Sequence, residues 1–277
     1  MNLLGKKIVM TIDQINAYRT AYGNPLMKKE IFTALVIPFI VCFFSIFILN
    51  YYWWLALIGG ILGAIYGYLV LMKISAERIY HQNAIIQRNR FVNNMTQLLI
   101  NQGETVVSSL EWCAQGIVAK GEFKEDLDRL LFDLMDADTE QVKEAFKKFS
   151  TKYKNDFVFC LFIDNLVTAH LEGRSDIEKI KELKSWHNEV LEQRNIFIKN
   201  KVGYKGQYKI THIYPLIVVG ILTFATGYKG FLKYYAHNPI GWVCSAVFLI
   251  LAAYFFHSFQ KKLADDEVME MKIWKRI

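Results

Sequence analysis

Four apolar stretches, each without Asp, Glu, Lys or Arg, stand out in the hydrophobic pattern of the chain. They cover residues 31–50, 53–72, 212–228 and 240–256. A helix needs about 20 mostly apolar residues to cross the hydrocarbon core of a bilayer. The first pair reaches that length, and the second pair is shorter in apolar core but equally free of charge. The pattern predicts a membrane protein with four transmembrane helices in two hairpins.

Between the two pairs, residues 73–210 have the apolar spacing of helices that are buried on one side. Six helices are predicted, starting near residues 76, 105, 121, 139, 157 and 176, and the sixth can continue towards the third span. Thr105 is a candidate N-cap, and Gly103 and Gly173 are candidate helix ends. No Val- or Thr-rich alternation predicts a strand. The predicted fold class is all-α, with two transmembrane hairpins flanking a six-helix cytoplasmic bundle.

The predicted domain boundaries follow this division. Residues 1–30 form a cytoplasmic amphipathic segment, in which Leu4, Ile8, Ile12 and Ile15 recur at helical spacing. Residues 31–72 form the first hairpin, with spans at about 31–50 and 53–72. Residues 73–210 form the helical module, residues 211–257 the second hairpin with spans at about 212–228 and 240–256, and residues 258–277 a cytoplasmic tail.

The distribution of charge predicts the orientation. The chain carries a net charge of +7, yet residues 73–210 hold 21 basic and 20 acidic side chains, so no region is basic enough to indicate nucleic-acid binding. Lysines and arginines concentrate before the first span, after the second, before the third and after the fourth. The positive-inside rule then predicts a multi-pass protein of the cell membrane with both termini and the module in the cytoplasm.

No motif in the chain indicates catalysis or cofactor binding. HExxH, phosphate-binding glycine loops and GxSxG are absent from the sequence. The four cysteines are widely spaced, which predicts buried free thiols rather than a metal site. The spans lack the Asp, Glu, Lys or Arg that ion-coupled transporters use near the midplane. We therefore expect a protein that is not an enzyme, with no cofactor and no metal.

An acidic run in the third predicted helix is the candidate docking surface for a partner. Its members are Glu122, Glu125, Asp126, Asp128, Asp133 and Asp136. The simpler interpretation is a solvated helix face. The next helix is rich in lysine, so the two helices can pair with each other or with a partner of opposite charge.

Gly59, Gly63 and Gly67 are spaced four residues apart in the second span. Small residues at this spacing allow close helix approach in membranes. They predict a packing face, either for the adjacent span or for another protein.

Three passages of the module resemble a known family. They are residues 91–100 with Gly103 and residues 108–114, which look like a first helix pair with a glycine elbow; residues 140–149; and residues 156–173, an apolar helix ending in glycine. The order of elements resembles the type II secretion system F-domain family, the inner-membrane platform proteins of secretion systems and type IV pili. The single-domain tight-adherence kind is the nearest likeness. Arg174, Ser175 and Asp176 replace the family's usual small residues.

This resemblance implies a non-enzymatic platform that couples a cytoplasmic secretion or pilus ATPase to the movement of pilin-like subunits. A single copy of the domain implies a homo-oligomer or a paralogous partner in the lipid bilayer. The alternative is a membrane subunit of a conjugation or export channel. A membrane-anchored signalling protein is disfavoured because no phosphoacceptor context is evident in the sequence.

Overall fold

The structure is a computed structural model that describes residues 12–22, 25, 27–102, 104–173 and 176–264. Within these ranges the chain is helical and contains no strand, which confirms the all-α class. The helices are α1 (Ile12–Thr20), α2 (Lys28–Asn50), α3 (Trp53–Tyr66), α4 (Met72–Gln97), α5 (Val106–Ala114), α6 (Gly121–Leu134), α7 (Thr139–Lys152), α8 (Phe157–Glu172), α9 (Ile177–Thr226), α10 (Tyr228–Phe231) and α11 (Pro239–Ala264).

Four helical stretches are long and apolar enough to cross a membrane. They are Lys28–Asn50, Trp53–Ile100, Ile177–Thr226 and Pro239–Lys262. The first, second and fourth contain the apolar stretches predicted from the sequence, and the third contains residues 212–226 of the stretch predicted at 212–228. This composition is that of a membrane protein, as the hydrophobic pattern predicts.

Several helix boundaries differ from the prediction. The third span ends at Thr226 rather than near residue 228, and α9 continues without a break from Ile177 to that residue, as expected for a sixth helix that runs on into the span. The second span likewise joins α4 through a π-helical turn at Gly67–Leu71. The predicted loop at 229–239 contains helix α10 and a further π-helical turn, Leu232–Ala236. A glycine or a proline does not by itself end a helix. Residue type alone therefore does not show where a helix continues without interruption.

The chain divides into two compact units. The described part of the first consists of residues 12–17, 25, 27–78 and 198–264. Here α2 and α3 pack side by side, and Ile15 of α1 is buried against Met72 and Ala76. The turn after α2 is closed by Tyr51 in a left-handed conformation, with φ of 53°. Its ring contacts the rings of Tyr228 and Phe231.

The second unit consists of residues 18–22, 79–102, 104–173 and 176–197 among the described residues. Its helical segments enclose one apolar core. Helix α8 is central to that core, since Phe159, Phe162 and Ile163 have no exposed surface. The predicted N-cap of α5 is confirmed, because Thr105 Oγ1 accepts a hydrogen bond from Ser108 N at 3.2 Å. Gly173 ends α8 with φ of 69°, also as predicted.

Helix α7 begins at Thr139, as predicted, and Asp138 caps it by accepting a hydrogen bond from Gln141 N at 2.8 Å. The expectation for the cysteines needs correction. All four cysteines are free, but only Cys113 is buried, and Cys244 is exposed on α11. A span that faces lipid leaves small apolar side chains such as a thiol uncovered by protein. Leu4, Ile8, Gly103, Arg174, Ser175 and the tail from residue 265 lie outside the described residues.

Candidate functional site on the outer face of helix α6

Helix α6, which carries most of the predicted acidic residues, has two distinct faces. Phe123, Asp126, Leu127 and Leu130 are buried on its inner face. The outer face exposes four side chains at i, i+3, i+4 and i+7. They are Glu125, Asp128, Arg129 and Phe132. Residues at this spacing line one side of a helix, so they form one continuous surface strip.

The end of this strip is unusually apolar for an exposed surface. Phe132 is 73% exposed and Met135 is 69% exposed. Met135 caps the helix by donating a hydrogen bond from its N–H to Phe132 O at 3.2 Å. Asp136 follows with φ of 54°, a left-handed conformation that residues other than glycine seldom adopt. We call Glu125, Asp128, Phe132, Met135 and Asp136 the α6 patch.

The inner acids of α6 serve the fold instead. Lys152 of α7 contacts Glu122 at 2.7 Å and also contacts Asp126. Tyr80 Oη donates to Glu122 Oε2 at 2.6 Å, and Tyr153 Oη donates to Asp126 Oδ2 at 2.5 Å. This network connects α4, α6 and α7. Glu122 and Asp126 are therefore engaged inside the unit, which leaves them little capacity to bind a partner.

The network shifts the acidity of its members. Burial alone would raise the pKa of Glu122, but hydrogen bonds from Lys152 and Tyr80 outweigh it and lower that pKa. Burial alone would lower the pKa of Lys152, and its bonds to Asp126 and Glu122 raise it. Both Glu122 and Lys152 are therefore charged at neutral pH. The ionic contact between these two side chains persists over the whole physiological range.

Two further predicted acids form surface ion pairs. Asp133 lies 3.0 Å from Lys148 of α7, and Asp128 lies 2.6 Å from Lys124 one turn earlier. Exposed pairs of this kind contribute only about 0–1 kcal/mol. A stronger partner can replace such contacts at little cost. Asp128 thus belongs to the α6 patch while it also pairs within the helix.

A second polar centre lies deeper in the same unit. Arg88 Nε donates to Asp156 Oδ2 at 2.8 Å, and His187 Nε2 lies 3.5 Å from the same oxygen. The guanidinium also lies over the rings of Tyr153 and Phe159. Burial alone would raise the pKa of Asp156, but His187 and Arg88 lower it to about 2. Asp156 Oδ1 in addition accepts from Phe159 N and so caps α8.

Amide side chains extend this centre between α4 and α9. Asn89 Nδ2 donates to Asn188 Oδ1 at 2.7 Å and lies 3.2 Å from His187 Nδ1. Asn93 and Asn188 exchange two hydrogen bonds, of 3.0 and 3.1 Å. Together the two polar centres hold α4, α6, α7, α8 and α9 in one register. They provide the rigid support on which the α6 patch rests.

No local pattern in the sequence indicates this second centre directly. Arg88, Asp156 and His187 are separated by 68 and 31 positions, and nothing in one sequence pairs them. A partial signal existed at Asp156, which directly precedes the apolar run of α8 and so qualifies as an N-cap. No group of His, Cys, Asp and Glu side chains suited to a metal ion occurs among the described residues.

The three glycines of the second span lie against α2. A Cβ atom added to Gly59 would lie 2.0 Å from Ile46 Cδ1. At Gly63 it would lie 2.7 Å from Pro38 O, and at Gly67 it would lie 2.2 Å from Ala34 O. At Gly63 and Gly67 the obstructing atoms include backbone oxygens of α2, so hydrogen is the only side chain that fits there without a shift of α2, whereas the Ile46 methyl beside Gly59 can move. The face therefore brings α2 and α3 into close approach.

Comparison with known proteins gives one informative relationship. The chain is 39% identical over 267 residues to the uncharacterized protein pXO2-23 of Bacillus anthracis. The aligned region covers 96% of this chain and 96% of that protein. No family model matches the sequence. No solved structure matches it either.

Proposed function

We propose that this chain, which belongs to the same family as the uncharacterized Bacillus anthracis protein pXO2-23, acts as a non-enzymatic membrane platform. In this role the second unit binds a cytoplasmic ATPase of a pilus-like or secretion-like assembly machine. The membrane helices pass its movement to pilin-like subunits or another exported substrate. The resemblance to the F-domain family supports this proposal, and it lies in residues 91–100 with Gly103, residues 108–114, residues 140–149 and residues 156–173.

The α6 patch is the observation on which the proposal depends most. Phe132 and Met135 expose large apolar side chains beside the carboxylates of Glu125, Asp128 and Asp136. Exposed apolar groups surrounded by charge are typical of protein-binding surfaces. Apolar anchors supply affinity, and a surrounding charge of one sign selects a partner of the other sign. Three carboxylates outnumber the one guanidinium on this surface, that of Arg129, so the expected partner surface is predominantly basic, with an apolar pocket.

The contacts beneath the patch suit a surface that transmits force. Helix α6 is connected to α7 through Lys152, and α7 is connected to the Arg88 centre through Tyr153. A surface that transmits force must move as one body with its support. Buried and hydrogen-bonded charges resist such relative movement, because separating them leaves a charge unpaired in the interior.

The proposed sidedness follows from the basic residues. Lys28 and Lys29 begin α2, and Lys261 and Lys262 lie near the end of α11. The positive-inside rule places these ends, both termini and the second unit in the cytoplasm of a cell-membrane protein. There the second unit has access to an ATPase. Protease added to inside-out vesicles is expected to cleave between residues 73 and 210, and cleavage from the outer side would contradict this orientation.

Site-specific photo-crosslinking tests the docking role directly. A photoreactive amino acid at Phe132 in the full-length chain, expressed in its native host, is expected to capture a hexameric ATPase. The matched position is Lys147, which is exposed on α7 away from the patch, and it is expected to give no such product. Capture of channel subunits alone at Phe132 would instead support the alternative, a subunit of a conjugation or export channel.

Charge reversal gives a second, independent measurement. Glu125→Lys with Asp128→Lys is expected to reduce recovery of the ATPase with the purified platform, since the basic partner is then repelled. The control reverses Glu178 and Glu182, two exposed acids of α9. Unchanged recovery for the α6 pair, or an equal loss for the α9 pair, would contradict docking at the α6 patch.

A further inference from the structure

In the first unit, helix α9 presents a face that the described part of this chain leaves uncovered. The buried residues of α9 are Ile180, Leu183, His187 and Arg194, and none of them lies in residues 198–226. The helices α2, α3 and α11 differ, since each of them buries residues within the described ranges. The apolar part of α9 is thus the least covered of the four candidate membrane spans.

The exposed face of residues 198–226 follows a heptad pattern. Eight positions recur at alternating spacings of three and four residues, and all eight are exposed. They lie on the side opposite Tyr208 and His212, whose rings contact Phe259 and Phe248 of α11. A repeat of 3.5 residues is typical of helices that pair as a coiled coil. We call these positions the α9 line: Asn200, Gly203, Gln207, Ile210, Tyr214, Ile217, Ile221 and Phe224.

The side chains of the α9 line suit pairing with an identical helix. No Asp, Glu, Lys or Arg occurs on the line, although four lysines lie between residues 199 and 209. Asn200 and Gln207 hold equivalent positions seven residues apart. An amide side chain both donates and accepts hydrogen bonds, so it can pair with its own copy. A lysine at the same position would repel its copy.

Gly203, which lies between the two amides, is explained by a second helix. Glycine is among the least favourable residues in a helix interior. A Cβ atom added to Gly203 would meet no atom within 4 Å, so packing within the chain does not require a glycine here. Small residues in membrane helices allow another helix to approach closely. Close approach of a helix to the α9 line accounts for a glycine at this position.

The membrane determines how two copies can meet. Because every copy enters the bilayer in the same orientation, the α9 helices of two copies run parallel. A two-fold axis along the membrane normal then places each position of the α9 line opposite the same position of the second copy. Apolar side chains meet from Ile210 to Phe224, and the amides of Asn200 and Gln207 meet before the apolar part begins.

From these observations we infer that two copies of the chain associate through the α9 line as a parallel coiled coil. Asn200 and Gln207 each pair with the same residue of the second copy and set the register of the two helices. Ile210, Ile217 and Ile221 form the apolar part of the interface. The inference depends on the membrane-spanning role of α9 and not on any ATPase.

Cysteine cross-linking of the full-length protein in native membranes tests this inference. The starting variant carries Cys244→Ala, which removes the exposed native thiol. Facing positions of a coiled coil bring their Cα atoms within the roughly 4.4–6.8 Å that a disulfide spans. Under a mild oxidant, Asn200→Cys and Gln207→Cys are each expected to give a product of twice the chain mass. Val202→Cys and Lys205→Cys, which are exposed but lie off the line, are expected to give about tenfold less.

Native mass spectrometry of the purified full-length protein gives a second measurement, the fraction of dimer. Gln207→Lys places two like charges opposite each other and is expected to reduce this fraction about tenfold. Val202→Lys adds the same charge off the line and is expected to leave the fraction unchanged.

Several results would overturn the inference. They are equal cross-linking on and off the line, a cross-linked product that contains a different protein, a wild type that is monomeric, and equal dimer fractions for Gln207→Lys and Val202→Lys. Neither measurement involves an ATPase, so these results are distinct from a failure of docking at the α6 patch.

Discussion

Arg88 and Asp156 form a buried ion pair in which the guanidinium Nε lies 2.8 Å from the carboxylate Oδ2. The two side chains are only 11% and 3% exposed. They come from α4 and from the residue that caps α8, so the pair joins helices far apart in the sequence. Burying both charges costs desolvation energy, which their attraction and hydrogen bonds must offset. Removing either partner leaves the other charged and uncompensated in the interior.

Asp156→Asn is therefore expected to destabilise the second unit strongly. The asparagine oxygen still accepts from Phe159 N and keeps the cap of α8, while the amide nitrogen, which only donates, replaces the oxygen that accepts from Arg88 Nε. We expect a loss of about 3–5 kcal/mol in the free energy of unfolding, because Arg88 remains buried without its counter-ion. Thermal unfolding in detergent measures this loss. Asp164→Asn, an exposed position on the same helix, is the control and is expected to change stability very little.

The Asp156 carboxylate also makes the free energy of unfolding depend on pH in the acidic range. Its pKa is about 2 in the folded protein against an ordinary value of 3.8. Because the pKa of Asp156 is lower in the folded protein, its ionised carboxylate stabilises the fold at pH values above 3.8. This stabilisation is lost as the pH falls towards 2. This pKa shift corresponds to about 2 kcal/mol in the free energy of unfolding. The difference in Tm between the wild type and Asp156→Asn is expected to shrink across this interval. A difference that stays constant with pH would contradict the assignment.

Much of the fold could be predicted from local patterns. The positions of Thr105 and Gly173 at helix ends follow from the side-chain and backbone preferences of these residue types. The burial of Phe159 and Phe162 follows from their place in an apolar run too short to cross a membrane. The uninterrupted course of α9 was expected only as a possibility, because Gly203, Gly206 and Pro215 are residue types that weaken or interrupt helices, and the helix nevertheless continues through all three.

The candidate site was predictable only in part. The acidic run of α6 is obvious, but its division into an inner and an outer face depends on helical phase. Glu122 and Asp126 point towards Lys152, whereas Glu125 and Asp128 lie outside. The buried Arg88 centre depends on contacts between distant segments, which a single sequence does not encode in any local pattern. Tertiary structure was needed to distinguish acids that hold the fold from acids that can meet a partner.

The close contact between α2 and α3 leads to a third prediction. Gly67→Ala places a methyl group about 2.2 Å from Ala34 O, a backbone atom that cannot move without shifting α2. We expect a loss of roughly 1–3 kcal/mol in the free energy of unfolding, the usual cost of overpacking. Gly220→Ala on α9, where no atom lies within 4 Å, is the matched control. Equal unfolding temperatures for Gly67→Ala and Gly220→Ala would show that α2 can move away from Gly67 without a loss of stability.

Gly121, at the start of α6, supports a fourth prediction with two independent physical causes. Its φ is +59°, and an added Cβ atom would lie 1.7 Å from Ala21 O. Glu122 N donates to that same oxygen at 2.8 Å. Gly121→Ala thus adds a Cβ atom to a residue in the left-handed conformation and brings that atom against the backbone of Ala21. It also displaces the hydrogen bond from Glu122 N to Ala21 O, which lies beside the Lys152 network. The expected destabilisation is roughly 2–5 kcal/mol. Gly116→Ala, with open space around it, is the control, and thermal unfolding in the same detergent compares the two. If Gly121→Ala unfolded at the wild-type temperature, the contact between Ala21 and the start of α6 would not contribute to holding this segment in place.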